Sequence, residues 1–288
     1  MISARQSVCW AMLCGLALAP ASGFAASAPA TPSPLERGYH DAYNLDFNSA
    51  QKEFESWESE HPADPIGPVS EAAGILFSEL DRLGVLEAQF YQKDSSFLSR
   101  PKLSPDPAKK AQFDAALKKA ESKAQQALAH APNDHDALFT MALVNGLRAD
   151  YAALVEKRDM AGLNYTRDAT TWANKLLAQA PDYYDAYLAS GMSKYIIGSL
   201  VAPLRWLLHL AGYQGDKQEG MRQVEMTATH GHYLAPFARV LLAIAYLRQN
   251  DRTRARELLT GLRDEFPANP LFPKEIARID GAADSAKR

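Results

Sequence analysis

The chain has 288 residues, 47% of them hydrophobic and 23% charged, with a formal net charge of −3. That length suffices for one large core or a row of small units, and the near-neutral balance supplies no polybasic footprint for nucleic acid or anionic lipid. The only cysteines are Cys9 and Cys14, so the chain beyond them has no disulfide, no thiolate metal ligand and no cysteine nucleophile.

The N-terminus places Arg5 before an apolar stretch from Val8 to about Ala19, then Pro20 and the small-residue run "ASGFAASAPA". This pattern predicts a secretory signal peptide over residues 1–25, cleaved after Ala25 or Ala28. Its apolar core falls short of the roughly 20 residues of a membrane-spanning helix, although a retained anchor is the alternative. Leu13 directly precedes Cys14, which is not the context of a lipoprotein site. The mature protein is expected to be exported, to the periplasm or beyond, with an Ala/Pro/Ser linker over 26–34 that contains "TPSP".

From Leu35 onward, Ala, Leu, Lys, Glu and Gln recur at helical spacing, and Val and Ile are too scattered for strands. An internal repeat runs beneath this pattern. Ala50, Phe54 and Pro62 show Ala-x3-Phe with a proline eight residues further on, and counting back twelve from Pro132, Pro181 and Pro267 gives Ala120, Ala169 and Ala255 in the same register. Ala124, Ala173 and Leu259 fill the slot one turn later. A small residue lets two antiparallel helices approach, the apolar residue fills the adjacent gap, and proline stops the helix. The resulting expectation is an all-α, tetratricopeptide-like helical-hairpin solenoid over 35–280 with extended and inserted helices, followed by a polar tail over 281–288. The last full hairpin is expected to have one helix ending near Gln249 and a second from Arg252 to Glu265.

The prolines lie about 70, 49 and 86 residues apart, so the widest gap must hold a degenerate unit. "GYQGDKQEG" at 212–220 falls there. It is glycine-rich like a phosphate loop, but no strand precedes it and no Lys-Ser/Thr follows. Counting back twelve from His232 places Gly220 in the small-residue slot. Asp216 then reads as an N-cap, Glu219 completes a capping box, and Gly212 with Gly215 reverses the chain.

The chain resembles the tetratricopeptide-repeat superfamily over nearly its whole length. Within it, "SLVAPLRWLLHLAGYQGDKQEGM" and "FPANPLF" are similar to the Iml2 / tetratricopeptide-repeat-39 family and to secreted bacterial repeat proteins like it. The resemblance implies a non-enzymatic helical-repeat protein.

No catalytic signature of the Gly-x-Ser-x-Gly or His-Glu-x-x-His kind is present. Asp134, Asp136, Asp182 and Asp185 read as caps or exposed carboxylates, and His61, His130 and His135 as histidines beside helix C-termini. "HGHY", with His230 and His232, offers too few ligands for a metal and has no carboxylate beside it in sequence. No catalytic, cofactor or metal residues are assigned.

Two features point to binding. The first helices of successive hairpins carry Phe139, Leu143 and Gly146, then Leu188, Met192 and Tyr195, then Val240, Ile244 and Leu247, at intervals of three and four. These predict an apolar concave face, or else ordinary core in a shifted register. The second is "YIIGSLVAPLRWLLHLAGY", residues 195–213, apolar on nearly all sides and including Trp206. It is expected to be an inserted helix buried in the superhelix, with a membrane or partner surface as the alternative. The functional expectation is an interaction scaffold of the bacterial envelope gripping a partner helix or peptide in the concave groove. The alternative is a peripheral membrane or apolar-ligand binding protein using 195–213.

Overall fold

A computed structural model describes residues 31–86, 103–200, 202–210 and 212–285. The expected signal peptide, most of the linker and both cysteines lie outside the described residues. Among the described residues every regular element is helical. In chain order these are α1 (Pro34–Tyr43), α2 (Phe47–Glu60), α3 (Ile66–Arg82), α4 (Pro107–His130), α5 (His135–Asp150), a π-helical turn (Tyr151–Val155), α6 (Asp159–Leu177), a 3-10 turn (Tyr184–Ala186), α7 (Tyr187–Ser199), α8 (Ala202–Leu210), α9 (Lys217–His230), α10 (Ala235–Arg248), α11 (Arg252–Glu265) and α12 (Leu271–Ser285).

Local chemistry sets the helix starts. Ser33 and Glu36 form a reciprocal capping box ahead of α1, where Pro34 occupies the first turn. Asp46, Asp106, Asp134 and Asp251 cap α2, α4, α5 and α11 through their side chains. Helices α2, α4 and α11 end just before Pro62, Pro132 and Pro267, whereas α6 stops at Leu177, short of Pro181. The last helix runs to Ser285, past the point where a polar tail was expected. His135 is the first residue of α5, not a neighbour of a helix C-terminus, so the dipole argument does not apply to it.

Apart from α8, successive helices pack chiefly on one another, giving the hairpins α1/α2, α3/α4, α5/α6, α7/α9 and α10/α11, with α12 covering the end. The small residues of the repeat sit at these contacts: Ala50, Ala120, Ala169 and Ala255 are buried, as are Phe54, Ala124, Ala173 and Leu259.

In the α7/α9 hairpin glycine replaces alanine. A Cβ on Gly220 would lie 2.7 Å from the Gly191 carbonyl oxygen and 2.8 Å from the Tyr195 Cα, so the backbones of α7 and α9 touch. Gly212 provides the reversal with a φ of 86°. Asp216 caps α9, accepting from the backbone N–H groups of Gln218 and Glu219. The expected capping box is not completed. The Asp216 N–H donates to the Lys194 carbonyl of α7, and Glu219 accepts from Arg222 and Gln223 instead.

The 195–213 segment also departs from expectation. It is broken between α7 and α8, and α8 lies outside the superhelix with Trp206 65% and Leu210 64% exposed. Among the described side chains, Leu208 and Tyr213 pack with Ile197 beside Leu163 and Leu200, and Arg205 donates to the Gly198 carbonyl.

The superhelix bends back on itself through side chains. From α1, the Tyr43 hydroxyl donates to the Tyr233 carbonyl at 2.8 Å, and the Tyr39 ring stacks on Tyr233 with centroids 4.9 Å apart. Asn269, beyond α11, donates to the Tyr43 carbonyl at 2.8 Å, while Phe266 packs on Tyr43. Phe77 of α3 meets Phe237 of α10 edge-on. Helix α1 therefore lies across the concave side of the later hairpins.

Candidate binding cavity

The inward faces of α1, α3, α5, α7, α10 and α12 line most of a partly open cavity of about 320 Å³. That is the size of a small-molecule site. Of the residues expected on the concave face, Phe139, Leu143, Gly146, Leu188, Met192, Val240, Ile244 and Leu247 line it. Phe139 is also 1% exposed, so it serves the wall and the core together. Gly146 opens directly into free space: a Cβ there would meet nothing within 4 Å. Ile196, which is half exposed, stands at the rim.

Two expected residues lie elsewhere. Tyr195 is buried against α9, because it falls on the face of α7 that meets Gly220. Trp206 is on the exposed α8 and does not line the cavity. Sequence reasoning also missed part of the wall. Tyr39 and Tyr43 of α1, Phe77 of α3 and Phe272 of α12 contribute to it, since α1 and α12 also turn a face inward. Their helical spacing was visible; the inward bend was not.

The polar groups of the wall are mostly spent on one another. The Tyr39 hydroxyl and Ser70 Oγ are hydrogen-bonded at 2.9 Å, and burial pushes the Tyr39 phenol well above its ordinary range. Asp185 is neither a cap of its own helix nor an exposed carboxylate. It is buried and accepts from the backbone N–H groups of His232, Tyr233 and Leu234 at 2.9 to 3.1 Å, which ties the start of α7 to the turn before α10. Asn269 is satisfied by Tyr43 and Leu271. Glu275 pairs with Arg278 through Oε2, and its Oε1 has no hydrogen-bond partner.

Asp150 differs from these. It ends α5, lines the cavity, and has no hydrogen bond or ion pair among the described residues. Burial alone pushes its carboxyl up to about 7. Nothing in the sequence marked it out, since an Arg-Ala-Asp at a helix end reads as a solvated terminus.

The histidine pair is split. His232 Nε2 lies 2.9 Å from Glu36 Oε1 of α1, so the fold brings up a carboxylate that the local sequence lacks. Hydrogen bonds from the Ser33 backbone and from His232 hold the Glu36 carboxyl down at about 2. His230 instead packs on the Tyr184 ring. Among the described residues no group of three or more His, Asp or Glu comes together to hold a metal ion.

No protein family model and no curated protein matches the chain, and the resemblance to the Iml2 / tetratricopeptide-repeat-39 family is not confirmed by them. Among solved structures, a thermophilic tetratricopeptide-repeat protein from Thermus thermophilus is similar, at 15% identity over 85% of this chain and 96% of that one, with a TM-score of 0.44.

Proposed function

We propose that the protein acts by binding rather than catalysis, and that its occupant is a small apolar molecule held in the cavity of the superhelix. The observation that carries this reading is the cover that α1 gives part of the concave side. α1 and its tyrosines cross there, so that a mostly apolar wall bounds about 320 Å³ of a partly open cleft. A partner helix or peptide laid along the concave face would have to displace α1, and a small molecule would not. The apolar leader of the sequence supports export, and so a ligand met in the bacterial envelope.

A second reading attaches to the outside. Trp206 and Leu210 are large, apolar and exposed on α8, and an exposed aromatic of this kind is the usual anchor of a protein–protein contact. On that reading the scaffold meets an envelope protein through α8 while the cavity serves its ligand.

The test is the intact mass of the native protein purified from expressing cells. An added mass of one small molecule, removed by organic solvent, is the expected result. Protein that is empty and also fails to take up N-phenyl-1-naphthylamine in a saturable manner contradicts the cavity reading.

A further inference from the structure

The charge of the cavity wall narrows the ligand class. Among the described residues lining it there are three carboxylates, Asp150, Asp185 and Glu275, and no lysine, arginine or histidine. Two of the three are engaged: Asp185 by three backbone N–H groups and Glu275 by Arg278. Asp150 is half-buried at the cavity wall with no partner among the described residues, so its charge is offset there by nothing but a bound proton or an arriving cation. It stands where α5 passes into the π-helical turn Tyr151–Val155. Such turns are rare and recur at functional sites.

We infer that the cavity takes an amphipathic amine, with an apolar body against the Phe139–Leu143–Met192–Ile244 wall and a protonated nitrogen paired with Asp150. This rests on the cavity reading above. The wall excludes the opposite charge, because an anionic amphiphile would place a second negative group in a low-dielectric space with no cation to receive it. A neutral amphiphile leaves Asp150 protonated and gains only the apolar contact. The raised carboxyl agrees, since the surrounding wall disfavours its charge and no neighbouring cation offsets that.

The experiment is calorimetric titration with decylamine, decanol and decanoate, each below its micelle-forming concentration, on the full protein, on Asp150→Asn and on Gly146→Trp. Decylamine is expected to bind about ten- to a hundredfold more tightly than decanol, the strength of one charge-assisted hydrogen bond, with decanoate weakest. Asp150→Asn should level the amine with the alcohol while keeping both, and Gly146→Trp should abolish all three. Equal amine and alcohol affinity, an amine preference that survives Asp150→Asn, or a preference for decanoate would overturn the inference and leave the cavity reading standing. Binding of none of the three would overturn both.

Discussion

The cavity wall and helix α8 are made of the same kinds of residue, yet they end in opposite environments. Phe139, Leu143 and Met192 line a common apolar cavity, whereas Trp206 and Leu210 are exposed on a helix that Leu208 packs against Ile197 and Tyr213. Apolar character by itself does not decide burial. What decides it is whether the backbone supplies a facing surface. The α5 and α10 faces find one because each hairpin stacks on the next and α1 bends back over them, while α8 sits in the loop of a hairpin already closed by direct contact of α7 with α9.

This contrast can be broken by substitution. The largest effect is expected at Phe139→Ala, which removes a ring packed in the wall and should lower stability by about 3 to 5 kcal/mol in denaturant unfolding. A loss below about 1 kcal/mol would mean that the wall is not core.

Next comes Gly220→Leu. Its Cβ meets α7 backbone that cannot step aside, so the cost should be at least the usual overpacking range of about 1 to 3 kcal/mol. An unchanged melting temperature would contradict the glycine contact between α7 and α9.

Asp150 sharpens the comparison through pH. Its folded carboxyl is raised to about 7 above an ordinary value of 3.8, so between those values the folded protein holds a proton that the unfolded chain has released. Asp150 therefore leaves stability unpenalised below about pH 4, and the penalty grows until pH passes 7. Asp150→Asn should match the parent at pH 4 and exceed it by about 1 to 3 kcal/mol at pH 8. A constant difference across that range would contradict a desolvated carboxyl.

The smallest effect belongs to Trp206→Asp. The residue is exposed, so its replacement should change stability by less than about 0.5 kcal/mol and leave the protein helical and monodisperse. Unfolding would return α8 to the interior.

Much of the fold was legible because repeats write their contacts locally. The Ala-x3-Phe and proline register named the second helices, and Arg252–Glu265 appears with the expected bounds. Asp216 and Gly220 could be placed because a cap and a small-residue slot are both short-range demands. The cavity was only partly legible. Spacing on three first helices identified Leu143, Met192 and Ile244, but Tyr195 and Trp206 fell on other faces because register along one helix does not reveal which neighbour it meets. The closure by Tyr39, Tyr43 and Tyr233, the Asp185 tie and the unpartnered Asp150 depend on residues far apart in the chain, where no local pattern reports them.

The most direct measurement compares the parent with Gly146→Trp by titration with the neutral fluorophore N-phenyl-1-naphthylamine. Gly146 opens into the cavity with no atom near its missing Cβ, so an indole there should fill the space without cost to folding. The account predicts saturable binding by the parent, none by Gly146→Trp, and a melting temperature for the variant equal to or above that of the parent. Undiminished binding by a folded Gly146→Trp protein would contradict it.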